Sequence, residues 1–291
     1  MTLTEDQIAA FHRDGVLTVK NAVTPAELAA LRADFAGWVE QSRGETKPYG
    51  AGLDGRARFD MEPGHSAAKP ALRRINAPTE ISEAYLAVMA GSRMTAMVAD
   101  LIGPNVKHHH NKINSKLPGA ATSVSWHQDF PFTPHTNDDL ITALLMVDEV
   151  TEANGPLEVV PGTHHGEIHS LWHDGVFTGA MAKDVAAEMQ AASVKCFGPA
   201  GSVCLMHTRL AHGSAPNLSD APRTLFISVY SAADAMPCCP NPVPNAHEGL
   251  IVAGTDPRTV RATPYEMRVP EFPKGVSFFS QQARAAESRA A

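Results

Sequence analysis

The chain has 291 residues, with 24 Lys+Arg against 31 Asp+Glu and a formal net charge of −7. At 44% hydrophobic and 19% charged it has the material for a packed core and not the composition of a disordered chain. Mild acidity speaks against a nucleic-acid binder, no apolar run reaches the length of a membrane span, and the acidic opening Met1–Gln7 does not read as a secretory signal, so a cytoplasmic protein is expected.

Thr4 followed by Gln7 is a capping-box pattern, opening a helix through about Asp14 that Gly15 stops. Val16–Val19 reads as a strand. Thr24-Pro25-Ala26-Glu27 starts a second helix, with Leu28, Leu31, Phe35 and Val39 on one face. From about Ser42 to Pro70 the density of Gly, Pro and charge predicts a long, functional loop. A further helix is expected over about Ser82–Ile102. After Gly103-Pro104 the pattern turns to short strands, such as Ile141–Val147, Leu157–Val160, Gly201–Met206 and Thr224–Val229. The block Cys238–Pro273 reads as a flap, followed by an Ala-rich tail after Gln281. Four cysteines (Cys196, Cys204, Cys238 and Cys239) show no CxxC spacing, against a disulfide framework or a zinc ribbon. The sum is a mainly β chain with flanking helices (α+β), a sandwich or barrel with a helical layer. It reads as one domain over 1–291: helical layer about 1–103, β core about 104–232, flap and tail about 233–291.

The 14 histidines are the unusual feature. In Trp126-His127-Gln128-Asp129-Phe130, His127 and Asp129 lie two residues apart, and on a strand such residues share a face. Imidazole plus carboxylate is one edge of the 2-His-1-carboxylate triad of iron(II) oxygen chemistry, which needs a distant second histidine. His207 and His212 both compete for that place. His212 is favoured because Gly213-Ser214 and Arg223 follow it, whereas His207 lies in the strand leading to the turn. A hairpin-like separation sets His212 and Arg223 side by side on adjacent strands. There the guanidinium can grip the far carboxylate of a metal-chelating 2-oxo acid. His164 and His165 read as a turn at the rim, and Arg73 and Arg74 as a solvated pair. In His108-His109-His110 only alternate members can share a face.

These segments resemble the phytanoyl-CoA dioxygenase family of iron(II)- and 2-oxoglutarate-dependent oxygenases. The matching blocks are Trp126-His127-Gln128-Asp129, Asn154-Gly155-Pro156-Leu157, Val160-Pro161-Gly162-Thr163-His164, and His212-Gly213-Ser214 through Asn217, Ser219 and Arg223. The resemblance extends from the Gln7–Gly15 opening to about Tyr230. It implies a double-stranded β-helix (jelly-roll) core, with Fe(II) held by His127, Asp129 and His212 as catalytic centre. Arg223 and Ser214 would bind 2-oxoglutarate, the co-substrate used with O2. The run His110–Lys116 resembles the family strand whose alternate side chains enter the pocket, so that Asn114 helps bind 2-oxoglutarate and Lys112 and His110 face the substrate.

The resemblance implies a dioxygenase that releases succinate and CO2. The carboxylate of Asp129, which related halogenases lack, points to hydroxylation of an unactivated C–H bond, or another oxidation such as desaturation, and against halogenation. No basic cluster suits the phosphates of coenzyme A, so the expected substrate is a small polar or carboxylate-bearing metabolite. Neither nucleic acid nor membrane is an expected partner, and a homo-oligomer is left open. Glu45–Asp60 and Cys238–Val269 are the expected lids. Two other readings stand beside this one: a non-catalytic jelly-roll binding protein, and a metal-dependent hydrolase using the same His/Asp/His site.

Overall fold

The computed structural model describes residues 1–118, 122–272, 279, 281 and 282; the Ala-rich tail lies outside them. Helix α1 (Glu5–Asp14) starts at the expected capping box, Thr4 and Gln7 bonding reciprocally. It ends at Gly15, whose φ of +75° and closeness to His164 leave no room for a side chain. After strand β1 (Val16–Val19), the Thr24 box opens α2 (Pro25–Gln41).

The expected loop over 42–70 is not one. Strands β2 (Tyr49–Ala51) and β3 (Ala57–Met61) form a hairpin that pairs onward to β4 (Leu72–Asn76). The hairpin was hidden because charged residues carry it. Arg58 pairs with Glu80 at 2.5 Å and Asp60 with Arg73 at 2.9 Å, all four side chains largely buried. Arg73 and Arg74 are therefore not a solvated pair, and Glu45–Asp60 is a sheet margin rather than a lid. The single helix expected over 82–102 is two, α3 (Glu83–Gly91) and α4 (Arg93–Ile102), broken at the extended residue Ser92.

The rest is β5 (Val106–Lys116), β6 (Val124–His127), β7 (Leu140–Met146), β8 (Leu157–Val159), β9 (Trp172–His173), β10 (Val176–Phe177), α5 (Lys183–Ala192), β11 (Val194–Cys196), β12 (Val203–His207), β13 (His212–Ser214), β14 (Arg223–Ala232) and β15 (Ile251–Ala253). Among the described residues, nine strands form one antiparallel sheet in the order β1-β12-β7-β14-β5-β4-β3-β2, with β15 also on β5. Four more form the facing sheet β11-β8-β13-β6. This is the jelly-roll with its helical layer.

Strand alternation sorts the larger sheet into two cores. Ile141, Ala143 and Leu145 of β7, with Phe226 and Tyr230 of β14 and Ile113 of β5, pack with Phe11, Leu31, Tyr85 and Met94 of the helices. Leu144, Met146, Met206, Leu225 and Ile227 point the other way, against Leu157 and Val159 of the smaller sheet. Being covered on both faces, β7 reads as a continuous apolar run. The second, inter-sheet space holds the site.

Candidate active site

Strands β6 and β13 are neighbours, and their register sets His212 opposite His127, with ring centroids 4.1 Å apart. Asp129 lies beyond the strand: the chain leaves β6 and turns (φ −73°, ψ −33°) into the 3-10 turn Phe130–Phe132. It is this turn, not strand alternation, that brings Asp129 Oδ1 to 3.6 Å from His127 Nε2 and 3.7 Å from His212 Nε2. His127 Nδ1 bonds to Ser125 O at 2.7 Å and His212 Nδ1 to Leu210 O at 2.9 Å. A carbonyl only accepts, so both protons sit on Nδ1 and both Nε2 lone pairs face the Asp129 carboxylate. Thr142, the polar residue inside the apolar β7 run, donates to Asp129 Oδ2 at 2.6 Å and fixes the carboxylate plane.

Burial pushes the Asp129 carboxyl up, but His212, His127 and the ammonium of Lys112 beside it outweigh that and hold it well below the usual carboxylate range. Burial, and then His127, lower His212 to about 4, so its ring is neutral at pH 7. A carboxylate and two imidazoles that each present a lone pair fit a divalent iron with open positions. His207 lies outside this cluster, its ring against His164 at 5.1 Å.

The three side chains border a cavity that opens to solvent. Its larger-sheet wall carries Arg223, Leu225 and Ile227 of β14, with Asn114 and Lys112 of β5 opposite the last two; Lys116, opposite Arg223, lies just outside the lining. On the other side of β14, Val229 pairs with Thr142. Arg223 is buried, and burial lowers its guanidinium to about 10, so it keeps its charge at pH 7. Its Nε donates to Gly155 O at 3.1 Å. Gly155 has φ +77°, and a Cβ there would come 2.7 Å from Ala215 O, so this loop needs glycine to pass so close. His212 and Arg223 do not lie on adjacent strands as expected; β13 and β14 belong to different sheets, and the two residues line the cavity from separate walls.

Ser214, Asn114 and Lys112 also line the cavity. Asn114 Oδ1 is buried without a hydrogen-bond partner among the described residues. His110 is not among the lining residues. It shares the face of Lys112 and Asn114 but lies a rung further along, and its Nδ1 is 2.7 Å from that of His109. Lys116 escaped the sequence reading, although 112, 114 and 116 alternate visibly. Its Nζ donates to Ser214 Oγ at 2.7 Å and to Ala215 O, and burial, with Arg223 nearby, lowers it to about 6. Thr142 was also missed; a hydroxyl alone in an apolar strand was the available signal. Of the expected lid Cys238–Val269, the part Ile251–Ala253 is strand on β5, and Asn241 and Asn245 both donate to His109 O at 3.0 Å.

Residues 11–225 match the family model described as phytanoyl-CoA dioxygenase (PhyH). A probable alpha-ketoglutarate-dependent hypophosphite dioxygenase of Stutzerimonas stutzeri is 32% identical over 217 residues, 73% of this chain and 75% of that protein. The L-proline trans-4-hydroxylase of Streptomyces griseoviridis is 23% identical over 255 residues, 81% of this chain and 89% of its own. Among solved structures, EctD from S. alaskensis with 2-oxoglutarate and 5-hydroxyectoine matches with a TM-score of 0.62 and 25% identity, covering 94% of this chain and 89% of that one.

Proposed function

Because the chain belongs to the phytanoyl-CoA dioxygenase family and is an iron(II)- and 2-oxoglutarate-dependent dioxygenase, we propose that it hydroxylates an unactivated C–H bond of a small polar or carboxylate-bearing metabolite. The observation that carries the reading is one cavity holding both the His127, Asp129 and His212 cluster and the buried guanidinium of Arg223. When bound, iron with 2-oxoglutarate and dioxygen supplies a two-electron oxidation, 2-oxoglutarate leaving as succinate and CO2.

The protein's part is positioning and exclusion of water. His127, Asp129 and His212 would hold the metal through Nε2, a carboxylate oxygen and Nε2, with Thr142, Ser125 O and Leu210 O setting their orientations. Arg223 would hold the distal carboxylate of 2-oxoglutarate, anchored by Gly155 O so that its terminal nitrogens are left for the ligand. Ser214 and the amide of Asn114 supply further polar contacts, while Leu144, Met206 and Ile227 keep the intervening space apolar. Among the described lining residues Asp129 is the only carboxylate, so no second carboxylate stands beside the metal site to serve a hydrolase as general base. A small substrate agrees with relatives named for hypophosphite and L-proline.

The test is anaerobic addition of Fe(II) and then 2-oxoglutarate to metal-free protein, followed by a screen of small metabolites for substrate-stimulated succinate release. A visible charge-transfer band that vanishes in His127→Ala and weakens in Arg223→Ala is expected. Iron bound without such a band would refute the assignment of these residues.

A further inference from the structure

Resting on the reading of the cavity as the iron and 2-oxoglutarate site, we propose that the primary substrate is a small anion whose oxyanion head, a carboxylate or a phosphorus oxyanion, is held by the Lys112 ammonium. Lys112 lines the cavity, and among the described residues no hydrogen bond or ion pair reaches it. Other cationic groups around the cavity have structural partners. Lys116 is tied to Ser214 and Ala215 O, and Arg223 to Gly155 O. Lys112 is half-buried on the cavity wall, and a half-buried ammonium without a protein partner is left for water or a ligand to complete.

The surroundings sharpen the point. The neighbouring strand β4 carries Arg74 opposite Asn114, and Asn76 opposite Lys112. Arg74 is buried, and its charge adds to burial in lowering Lys112 to about 8. Asp129 is the carboxylate that acts on Lys112 in the opposite sense; it is already bonded by Thr142 and would serve as a metal ligand with His127 and His212. Of the two carboxylates of 2-oxoglutarate, one belongs with the metal and the other with Arg223. The negative charge that Lys112 requires then has to arrive with the substrate.

The ladder places Lys112 relative to the metal end. Lys112 pairs with Ile227, whereas Thr142, the residue that fixes Asp129, pairs with Val229 two positions on. Two residues along a strand span about 7 Å, and β5 and β7 stand two strands apart across β14, roughly 10 Å more. Lys112 and Asp129 nonetheless line the same cavity, so one small ligand can reach both. An ammonium offers three rotatable donors around a point charge and accepts planar and tetrahedral oxyanions alike.

The experiment uses the anaerobic complex of the full chain with Fe(II) and 2-oxoglutarate. Hypophosphite, ethylphosphonate and propanoate are titrated against it beside the uncharged propanamide, reading displacement of the visible band and, in air, succinate release. The expected result is a response to at least one anion and not to propanamide. In Lys112→Met that response falls by about 10–100-fold, the loss typical of a charge-assisted contact, with 2-oxoglutarate affinity unchanged and partial recovery in Lys112→Arg. A phosphorus arm that responds without the carboxylate arm, or the reverse, identifies the head. Equal responses in wild type and Lys112→Met, a response to propanamide alone, no response to any anion, or a loss of 2-oxoglutarate affinity in Lys112→Met each overturn the proposal. Absence of the band from the wild-type complex would instead overturn the underlying assignment of the site.

Discussion

Lys116→Met tests how the co-substrate end of the cavity is built. In the structure the Lys116 ammonium donates to Ser214 Oγ at 2.7 Å and to Ala215 O, on the rung where Lys116 pairs with Arg223. Because Ser214 Oγ accepts from the ammonium, its own hydrogen is left to point into the cavity, where Ser214 is a lining residue. Methionine has similar length and no donor, so the hydroxyl of Ser214 is free to turn and bond elsewhere. The net worth of hydrogen bonds to a charged group is about 1.5–3 kcal/mol, and 1.4 kcal/mol is about tenfold, so the dissociation constant of 2-oxoglutarate should rise by roughly 10–100-fold. The fold itself should not suffer, since burial and Arg223 already disfavour the charge on Lys116. The assay compares 2-oxoglutarate with 2-oxobutanoate, which lacks the distal carboxylate, by the anaerobic iron chelate band. Only 2-oxoglutarate should weaken in the variant. Equal weakening of both ligands, or none of either, would refute the reasoning. The pH dependence carries the same signature. A bound carboxylate raises the Lys116 pKa above its value of about 6 in the free protein. At saturating iron, affinity is then fullest below pH 6, declines as pH rises through the bound pKa, and loses that slope in Lys116→Met.

Thr142→Val removes the hydroxyl that holds Asp129 Oδ2 at 2.6 Å; iron affinity measured by chelator competition should fall by about 10–100-fold, with the melting temperature little changed. Glu80→Ala strands the largely buried Arg58, 2.5 Å away, and should lower unfolding free energy in denaturant titration by about 3 kcal/mol. Burial lowers His108 and His135 to about 4. Their unfolded forms protonate near pH 6.5 while the native forms do not, so each withdraws roughly 3 kcal/mol of stability as pH falls from 6.5 to 4, and His108→Asn should flatten that loss in denaturant titrations from pH 7 to 5.

The parts of the fold legible in the sequence are those where one local signal decides the conformation. The capping boxes at Thr4 and Thr24 and the turn at Gly15 are such signals, and the helices begin and end there. The hairpin of β2 and β3 was not legible because its buried polar residues find their partners far along the chain: Arg58 on Glu80, Asp60 on Arg73. A strand stabilised by ion pairs carries no apolar alternation. The break at Ser92 was hidden for the opposite reason, since apolar residues continue through both α3 and α4.

The site shows the same division between what spacing encodes and what topology supplies. The residues His127, Asp129, His212 and Arg223 can be picked out in the chain, but the geometry joining them cannot. Spacing suggested that strand alternation presents Asp129, whereas a turn after β6 does so. Spacing likewise suggested a hairpin for His212 and Arg223, whereas the chain crosses from the smaller sheet to the larger between them. That crossing has a chemical consequence. The smaller sheet contributes His127 and His212, whose Nε2 lone pairs converge near Asp129, while the larger sheet contributes Arg223 and Lys116 on one rung and Lys112 four residues along β5. Metal donors and anion-binding cations therefore occupy different walls. An anion can meet the cations of one wall without placing those cations among the metal donors of the other, and altering a rung on β5 can change which anion binds while leaving the two histidine ligands in place.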